Sequence, residues 1–123
     1  MARILSSLPG LIVLIVLMNS MIYTESNDVG VHRNVARTWC IANPVANPAA
    51  LQKDLDNLCG GGVDCGSIQP GGACFEPNTV VDHVSVTYNL YYKSHQSQPS
   101  ACSFGGNTIT TVSDPSHGTC VFP

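Results

Sequence analysis

The most regular alternation of hydrophobic and polar positions lies between residues 47 and 60. Three leucines recur there at intervals of four and three residues, which places them in one stripe along an α-helix. They are Leu51, Leu55 and Leu58. Asn47 is positioned to cap the first free amides, and Pro48 suits the first turn because its missing N–H needs no partner there. Gly60 is placed for a left-handed helix stop, so we predict a helix from Pro48 that ends there.

The stretch from Cys74 to Tyr92 carries two competing patterns. Its second half alternates as a strand would, through Val84, Val86, Tyr88, Leu90 and Tyr92. Pro77 and the pair Thr79 and Asp82 instead resemble the start of a helix, the pair as a capping box with Asp in place of Glu. A helical stripe is also present, through Val81, Val84, Tyr88 and Tyr91. The many β-branched residues oppose a helix, so the pattern alone leaves both structures open.

The remaining segments are short. Residues 60–72 contain too much glycine for a regular element and predict a loop. Residues 102–104 and 108–112 predict two short strands joined by a turn at 105–107. Residues 119–122 predict a last short strand after a turn at 114–118.

The N-terminal end has the pattern of a secretory signal. Arg3 precedes an unbroken apolar run from Leu11 to Met18, and small polar residues follow it. The run is shorter than the roughly 20 apolar residues that cross a bilayer. We predict a signal peptide over residues 1–25, a flexible lead-in over 26–38 and one folded domain over 39–123.

All six cysteines lie in the predicted domain. An even count in a small secreted chain indicates a disulfide framework, although six cysteines allow 15 pairings. A zinc site is the competing interpretation, but the chain contains no Cys-x-x-Cys pair and the secretory route favours cystine. We expect no metal and no other cofactor.

The charge balance narrows the class of partner. Five Lys and Arg stand against eight Asp and Glu, a net charge of −3, and charged residues make up only 11% of the chain. Such a chain offers no basic stripe for a phosphate backbone, which argues against nucleic acid as a partner. The composition favours an uncharged ligand, and we expect a monomer.

Catalysis is not supported by the sequence. Glycoside hydrolysis needs two carboxyl groups about 5–9 Å apart across a cleft, and a glycine-rich domain of this size has little room for one. His83 and His117 belong to no motif of a Ser–His–Asp type and are interpreted as surface residues. We predict that the domain is not an enzyme and has no catalytic residues.

The order of the cysteines and of the residues between them resembles a known family. The similarity begins with Trp39-Cys40, the leucine helix, Cys59-Gly60 and Asp64-Cys65. It continues through Ile68 to Gly72, Cys74 to Val80, His83, Ser85, Asn89, Tyr91-Tyr92, Cys102 to Gly106, and Asp114 to Cys120. Together these residues closely resemble carbohydrate-binding module family 43, the plant X-eight domain. That domain occurs in plant β-1,3-glucanases, pollen allergens and plasmodesmal callose-binding proteins.

The resemblance implies an α+β fold: a small disulfide-rich domain with two packed helices and a small antiparallel sheet. It therefore favours a helix for the stretch after Cys74. It also implies a disulfide pairing of the first cysteine with the fifth, the second with the third, and the fourth with the sixth. In this chain those pairs are Cys40–Cys102, Cys59–Cys65 and Cys74–Cys120.

The function implied by the resemblance is binding of β-1,3-glucan, of the callose or laminarin type, in the plant cell wall. A neutral polysaccharide needs exposed rings and a few hydrogen-bonding groups. On a helix, Tyr88 and Tyr91 share the buried stripe, and Tyr92 is expected at its edge. The candidate glucan-binding residues are Tyr92, Tyr91, Tyr88, Phe75, Glu76, Gln69 and Asn89.

A second function remains open at this point. Family members commonly carry aromatic residues where this chain has Asn57, Val86 and His117. The alternative is therefore a disulfide-rich structural, defence or signalling protein with weak or no glucan binding. For either function we expect a secreted protein of the apoplast or cell wall without a membrane anchor, since only three residues follow Cys120.

Overall fold

The computed structural model describes residues 36–123. The predicted signal peptide and most of the predicted lead-in lie outside these residues. The elements in chain order are strand β1 (Trp39–Ala42), helix α1 (Pro48–Gly60), helix α2 (Val80–Ser94) and strand β2 (Thr108–Thr111). Short 3-10 helices span Gly66–Ile68 and Pro99–Cys102. The predicted α+β class is confirmed, and no helix in this part of the chain is long and apolar enough to cross a membrane.

Helix α1 begins where its capping residue predicts. The side chain of Asn47 accepts a hydrogen bond of 2.8 Å from the backbone N–H of Ala49. Leu51 and Leu58 of the leucine stripe are buried. The helix ends at Gly60, as predicted, but the expected left-handed conformation at Gly60 is wrong: the glycine with a positive φ is Gly62, at 109°. Directly after the helix, the backbone N–H of Gly61 donates to the carbonyl of Leu58.

The ambiguous stretch after Cys74 folds as helix α2. Thr79 caps it, because its hydroxyl oxygen accepts from the backbone N–H of Asp82 at 3.1 Å. Val84 and Tyr88 are fully buried in a core that they share with Leu51 of α1. Burial of this stripe outweighs the low helix propensity of the β-branched residues, since each fully buried side chain contributes about 1.5–3 kcal/mol.

The sheet is built from different strands than the sequence pattern predicts. β2 pairs with β1 in antiparallel register, with Trp39 opposite Thr111 and Ala42 opposite Thr108. The predicted strands at 102–104 and 119–122 do not form. Cys102 ends a 3-10 helix instead, and the last segment makes only an isolated bridge between His117 and Cys120. The partner of β2 comes from the start of the domain, which local turn signals do not reveal.

The outer edge of β1 is completed by side chains of α2. Asn89 Oδ1 accepts from the backbone N–H of Cys40 at 3.1 Å, and Ser85 Oγ accepts from that of Ala42 at 2.9 Å. The amide of Asn89 also donates to the carbonyl of Pro123 at 2.9 Å. Over residues 36–123, no buried side-chain nitrogen or oxygen lacks a hydrogen-bond partner. The edge strand is therefore fixed to the helix by polar contacts as well as by packing.

Three disulfides close the fold: Cys40–Cys102, Cys59–Cys65 and Cys74–Cys120. This is the pairing that the family resemblance implies. The first joins β1 to the second 3-10 helix, and the second closes a short loop after α1. The third joins the segment before α2 to the C-terminal segment, which places Glu76 and Pro77 beside residues 117–119.

Candidate functional site

Three of the candidate ligand contacts lie in the core. Tyr88 and Asn89 are 0% exposed, and Tyr92 is 3% exposed. The expectation that Tyr92 lies at the edge of the stripe is wrong. Tyr92 follows Asn89 by one turn of α2, and its hydroxyl is 2.7 Å from the hydroxyl of Thr38, next to β1. β1 covers that side of the helix, so these three side chains have no free surface for a ligand.

The hydroxyl of Tyr88 takes part in a structural network. It donates to Asp54 Oδ2 at 2.5 Å, and Asn107 Nδ2 donates to the same oxygen at 3.0 Å. Burial of the phenol is the main cause that raises the pKa of Tyr88 well above its ordinary value, and the contact with the Asp54 carboxylate raises it further. The network joins α1, α2 and the turn before β2.

Tyr91 is the helix tyrosine that reaches the surface. Its half-buried ring lines a cleft of about 270 Å³ between the C-terminal end of α2 and the loop that follows α1. We call this the Tyr91 cleft. Its lining residues are Gly61, Gly62, Val63, Asp64, Leu90, Tyr91, Ser94 and His95.

Two neighbouring rings hold the ring of Tyr91 in place. The imidazole of His95 stacks against it, with ring centres 4.0 Å apart and planes inclined by 28°. Phe104 meets it edge-on, with ring centres 5.6 Å apart. These contacts restrict the orientation of Tyr91, so a ligand would meet a ring that is already positioned.

Polar groups lie at the rim of the same cleft. Asp64 is exposed, and its Oδ1 accepts from the backbone N–H of Gly66 at 3.0 Å. The Nδ1 of His95 lies 2.7 Å from the carbonyl of Tyr91 and therefore donates to it. The neutral imidazole then offers Nε2 as an acceptor. Ser94 adds an exposed hydroxyl, so the cleft combines a ring with a carboxylate, an imidazole and a hydroxyl.

The other candidate residues lie away from this cleft. Gln69 is exposed and donates to the carbonyl of Cys65 at 3.2 Å. Phe75 is half-buried, with its ring 5.5 Å from the ring of His83. Glu76 is exposed and lines a different depression. The structure therefore does not bring the predicted contact residues together into one site.

The depression beside Glu76 adjoins a second one. Their volumes are about 480 and 280 Å³, and His117 lines both. We call the pair the His117 groove. One part is lined by Ala73, Glu76, Pro77, His117, Gly118 and Thr119. The other is lined by Ile41, Ala42, Pro44, Val81, Asp82, Ser85, Ile109, Pro115, His117 and Phe122.

Sequence reasoning missed the polar residues of the Tyr91 cleft. His95 follows Tyr91 by four residues, the spacing at which side chains meet on a helix, so that contact had a signal. No sequence signal indicated Asp64, because this residue reaches the cleft only through the folding of the loop after α1.

Comparison with known proteins identifies the family. A family model, the X8 domain, matches residues 38–109. The chain is 46% identical over 85 residues to glucan endo-1,3-beta-glucosidase 7 of Arabidopsis thaliana, which covers 69% of this chain and 17% of that enzyme. It is 44% identical over 88 residues to a glucan endo-1,3-beta-D-glucosidase of Olea europaea, covering 72% of this chain and 19% of the relative. It is also 44% identical over 87 residues to the major pollen allergen Ole e 10 of Olea europaea, covering 70% and 71%.

The chain thus spans 17% and 19% of the length of these two glucosidases and 71% of the length of the allergen. The matched part of each glucosidase is the X8 domain, which is a non-catalytic module. The three disulfides fit an extracellular protein. On the match over residues 38–109, the chain belongs to the X8 domain family of carbohydrate-binding modules.

Proposed function

We propose that this protein is a secreted, non-catalytic module that binds β-1,3-glucan through the Tyr91 cleft. The choice of polysaccharide is supported by the names of its relatives, several of which are glucan endo-1,3-beta-glucosidases. A binding module attached to such an enzyme keeps it near its substrate when the module binds the same polymer on which the enzyme acts. The corresponding ligands for this chain are callose and laminarin.

The observation that carries this proposal is the fixed, partly exposed ring of Tyr91 beside polar groups. The C–H face of a glucose unit packs against such a ring, and its hydroxyls exchange hydrogen bonds with carboxylates and imidazoles. His95 and Phe104 already hold the ring, so binding costs little side-chain entropy. No Lys or Arg lines the cleft, which favours an uncharged sugar over an acidic one.

The size of the cleft limits how much of the polymer it contacts. A volume of about 270 Å³ lies just below the range of roughly 300–1,000 Å³ for small-molecule sites. Only one or two sugar rings therefore enter it, and the rest of the chain lies on the open surface. We expect weak binding of short oligosaccharides and stronger retention on insoluble polymer, where many sites are available.

The proposed location is the plant cell wall. The disulfides suit an oxidising compartment, and the apolar run at residues 11–18 fits a signal peptide. In the wall the protein would be retained by the polysaccharide that it binds. Release from a wall fraction by soluble β-1,3-glucan, with no release by cellulose oligosaccharides, is the expected result.

The function is tested by co-sedimentation with insoluble β-1,3-glucan, with cellulose as the reference polymer. We expect wild type in the glucan pellet, a clearly smaller fraction of Tyr91→Ala there, and Tyr91→Phe at the wild-type level because it keeps the ring. Val112→Ala, at a residue that is 69% exposed and lines neither the cleft nor the groove, is the matched control. Thermal unfolding of each variant separates loss of binding from loss of fold.

Salt provides an independent check, because contact with an uncharged polymer is not screened by ions. Retention on glucan should be the same at low and high ionic strength. Retention that disappears at high salt would indicate a charged partner instead. Wild type that sediments with neither polymer would favour the alternative, a disulfide-rich structural, defence or signalling protein. The burial of Tyr88 and Tyr92 gives that alternative its support.

A further inference from the structure

We infer that the His117 groove is a second saccharide site and that the domain therefore binds two glucan chains at once. This inference rests on the proposed function, since it assigns the same class of ligand to a separate surface. A bivalent domain would crosslink the polymer in addition to binding it.

The groove is built on a rigid frame. The backbones of His117 and Cys120 exchange two hydrogen bonds, of 2.9 and 2.8 Å. Cys120 is bonded to Cys74, and Glu76 follows Cys74 by two residues. The disulfide thus fixes the two segments that carry Glu76 and His117, and both segments form walls of the same depression. A ligand would not have to order either wall, which lowers the entropic cost of binding.

The orientation of the His117 ring is set by a backbone contact. Nδ1 lies 3.0 Å from the carbonyl of Pro115 and must donate to it, because a carbonyl can only accept. The neutral imidazole therefore presents Nε2 as an acceptor for a hydroxyl. The ring is exposed, and its centre is 6.4 Å from that of the buried Phe122. His117 thus provides both a flat surface and a hydrogen-bonding group at the junction of the two depressions.

The remaining lining matches an uncharged, hydroxyl-rich polymer. Ile109 and Pro77 give apolar surface for C–H groups, while Glu76 and Thr119 give exposed polar groups. One oxygen of the Asp82 carboxylate is occupied by the hydroxyl of Thr79. No Lys or Arg lines either depression, so the two carboxylates would repel an acidic polysaccharide.

The two sites lie on opposite sides of α2. Asp82 lines the groove and Tyr91 lines the cleft, nine residues later. Nine residues are about two and a half helical turns, which reverses the direction of the side chain and advances ~14 Å along the axis. A short oligosaccharide cannot pass around the helix to contact both, so each site takes its own chain.

The test uses the full secreted protein, isotopically labelled, titrated with a β-1,3-linked glucose trisaccharide and followed by NMR. We expect two separate sets of shifted resonances, one around Tyr91 and one around His117, and about two ligands per domain. His117→Ala and Glu76→Gln should each abolish or strongly reduce only the His117 set. Tyr91→Ala should abolish only the Tyr91 set. Asp56→Asn is the matched control for Glu76→Gln, since it makes the same change on the exposed surface of α1.

Crosslinking gives a second readout. Wild type should make a solution of long soluble β-1,3-glucan turbid, whereas Tyr91→Ala and His117→Ala should each still bind the polymer without turbidity. A single set of shifts at the cleft, with one ligand per domain, would overturn the second site and leave the proposed function intact. Absence of both sets would overturn both. Shifts in the groove with a basic peptide and none with the trisaccharide would assign the groove to a protein partner instead.

Discussion

The hydroxyl of Tyr88 donates a hydrogen bond of 2.5 Å to Oδ2 of Asp54 and so connects helix α2 to helix α1. Tyr88 is fully buried, and Asp54 also accepts from Asn107. Tyr88, one of the two tyrosines in the predicted helical stripe, thus uses its hydroxyl to hold the two helices and the turn before β2 together. Of the three tyrosines of α2, Tyr91 is the one whose ring is partly exposed.

The Tyr88 contact makes the stability of the domain sensitive to alkaline pH. The pKa of Tyr88 in the fold is raised above its ordinary value of 10.0, first by burial and then by Asp54. Below pH 10 the phenol is protonated in both states, and its contribution to stability is complete. Above pH 10 the unfolded state loses the proton first, so the free energy of unfolding falls as pH rises towards the folded-state pKa.

Denaturant unfolding between pH 8 and pH 12 measures this effect. Tyr88→Phe should be less stable at pH 8 by about 1 kcal/mol, because one hydrogen bond is lost. Its stability should then decline less steeply above pH 10 than that of wild type. Parallel curves for the two proteins would show that Tyr88 does not cause the alkaline loss.

Asn89 is expected to be essential for the edge of β1. Asn89→Ala would leave the N–H of Cys40 and the carbonyl of Pro123 without their partners. We predict a loss of about 1–3 kcal/mol in the free energy of unfolding, since the N–H of Cys40 is left buried and unpaired, whereas the exposed Pro123 can bond water. Asn57→Ala makes the same substitution on the exposed face of α1 and should stay within about 0.5 kcal/mol of wild type. Equal stability of the two variants would contradict the role given to Asn89.

Tyr92 and Tyr91 are neighbours with opposite expected roles. Tyr92→Ala removes a ring that is 3% exposed and should destabilise the domain by about 3–5 kcal/mol. Tyr91→Ala removes a half-buried ring, so it should cost less stability and weaken glucan binding. Tyr92→Phe is the control, because it keeps the packing and loses only the contact with Thr38, about 1 kcal/mol. A folded Tyr92→Ala variant that fails to bind glucan would reverse this assignment.

The disulfides should contribute unequally. In the chain-entropy model the stabilisation grows with the length of the closed loop. Cys40 and Cys102 are 62 residues apart in the sequence. Replacing both by Ala should lower the free energy of unfolding by about 4 kcal/mol. The same change at Cys59 and Cys65, separated by 6 residues, should cost about 2 kcal/mol. Denaturant unfolding of both variants checks the order, and a greater loss for the short loop would contradict the model.

The pairing itself can be mapped by mass spectrometry after digestion without reduction. Peptides joined through Cys40–Cys102, Cys59–Cys65 and Cys74–Cys120 are expected. A free thiol in the secreted protein would contradict this result.

Several features of the fold could be predicted from residues close together in the chain. Asn47 and Pro48 fixed the start of α1, and Thr79 fixed the start of α2, because a cap satisfies amides within three residues of itself. The cysteine count indicated a disulfide framework because that inference depends only on the composition of the chain and on an oxidising compartment. The choice of pairing did not follow from the residues alone and needed the family resemblance.

Other features depended on contacts that the local pattern does not contain. Strand β1 forms only because β2, almost seventy positions later, provides its partner. Its position over α2 then decides which tyrosines are accessible: Tyr92 lies beneath the strand, and Tyr91 faces the cleft. Helical periodicity distinguishes the two sides of a helix but does not say which neighbour covers each side. The residues by themselves determined helix α1 and indicated a disulfide framework, and the family resemblance decided for helix α2. Only tertiary packing decided which rings remain exposed to a ligand.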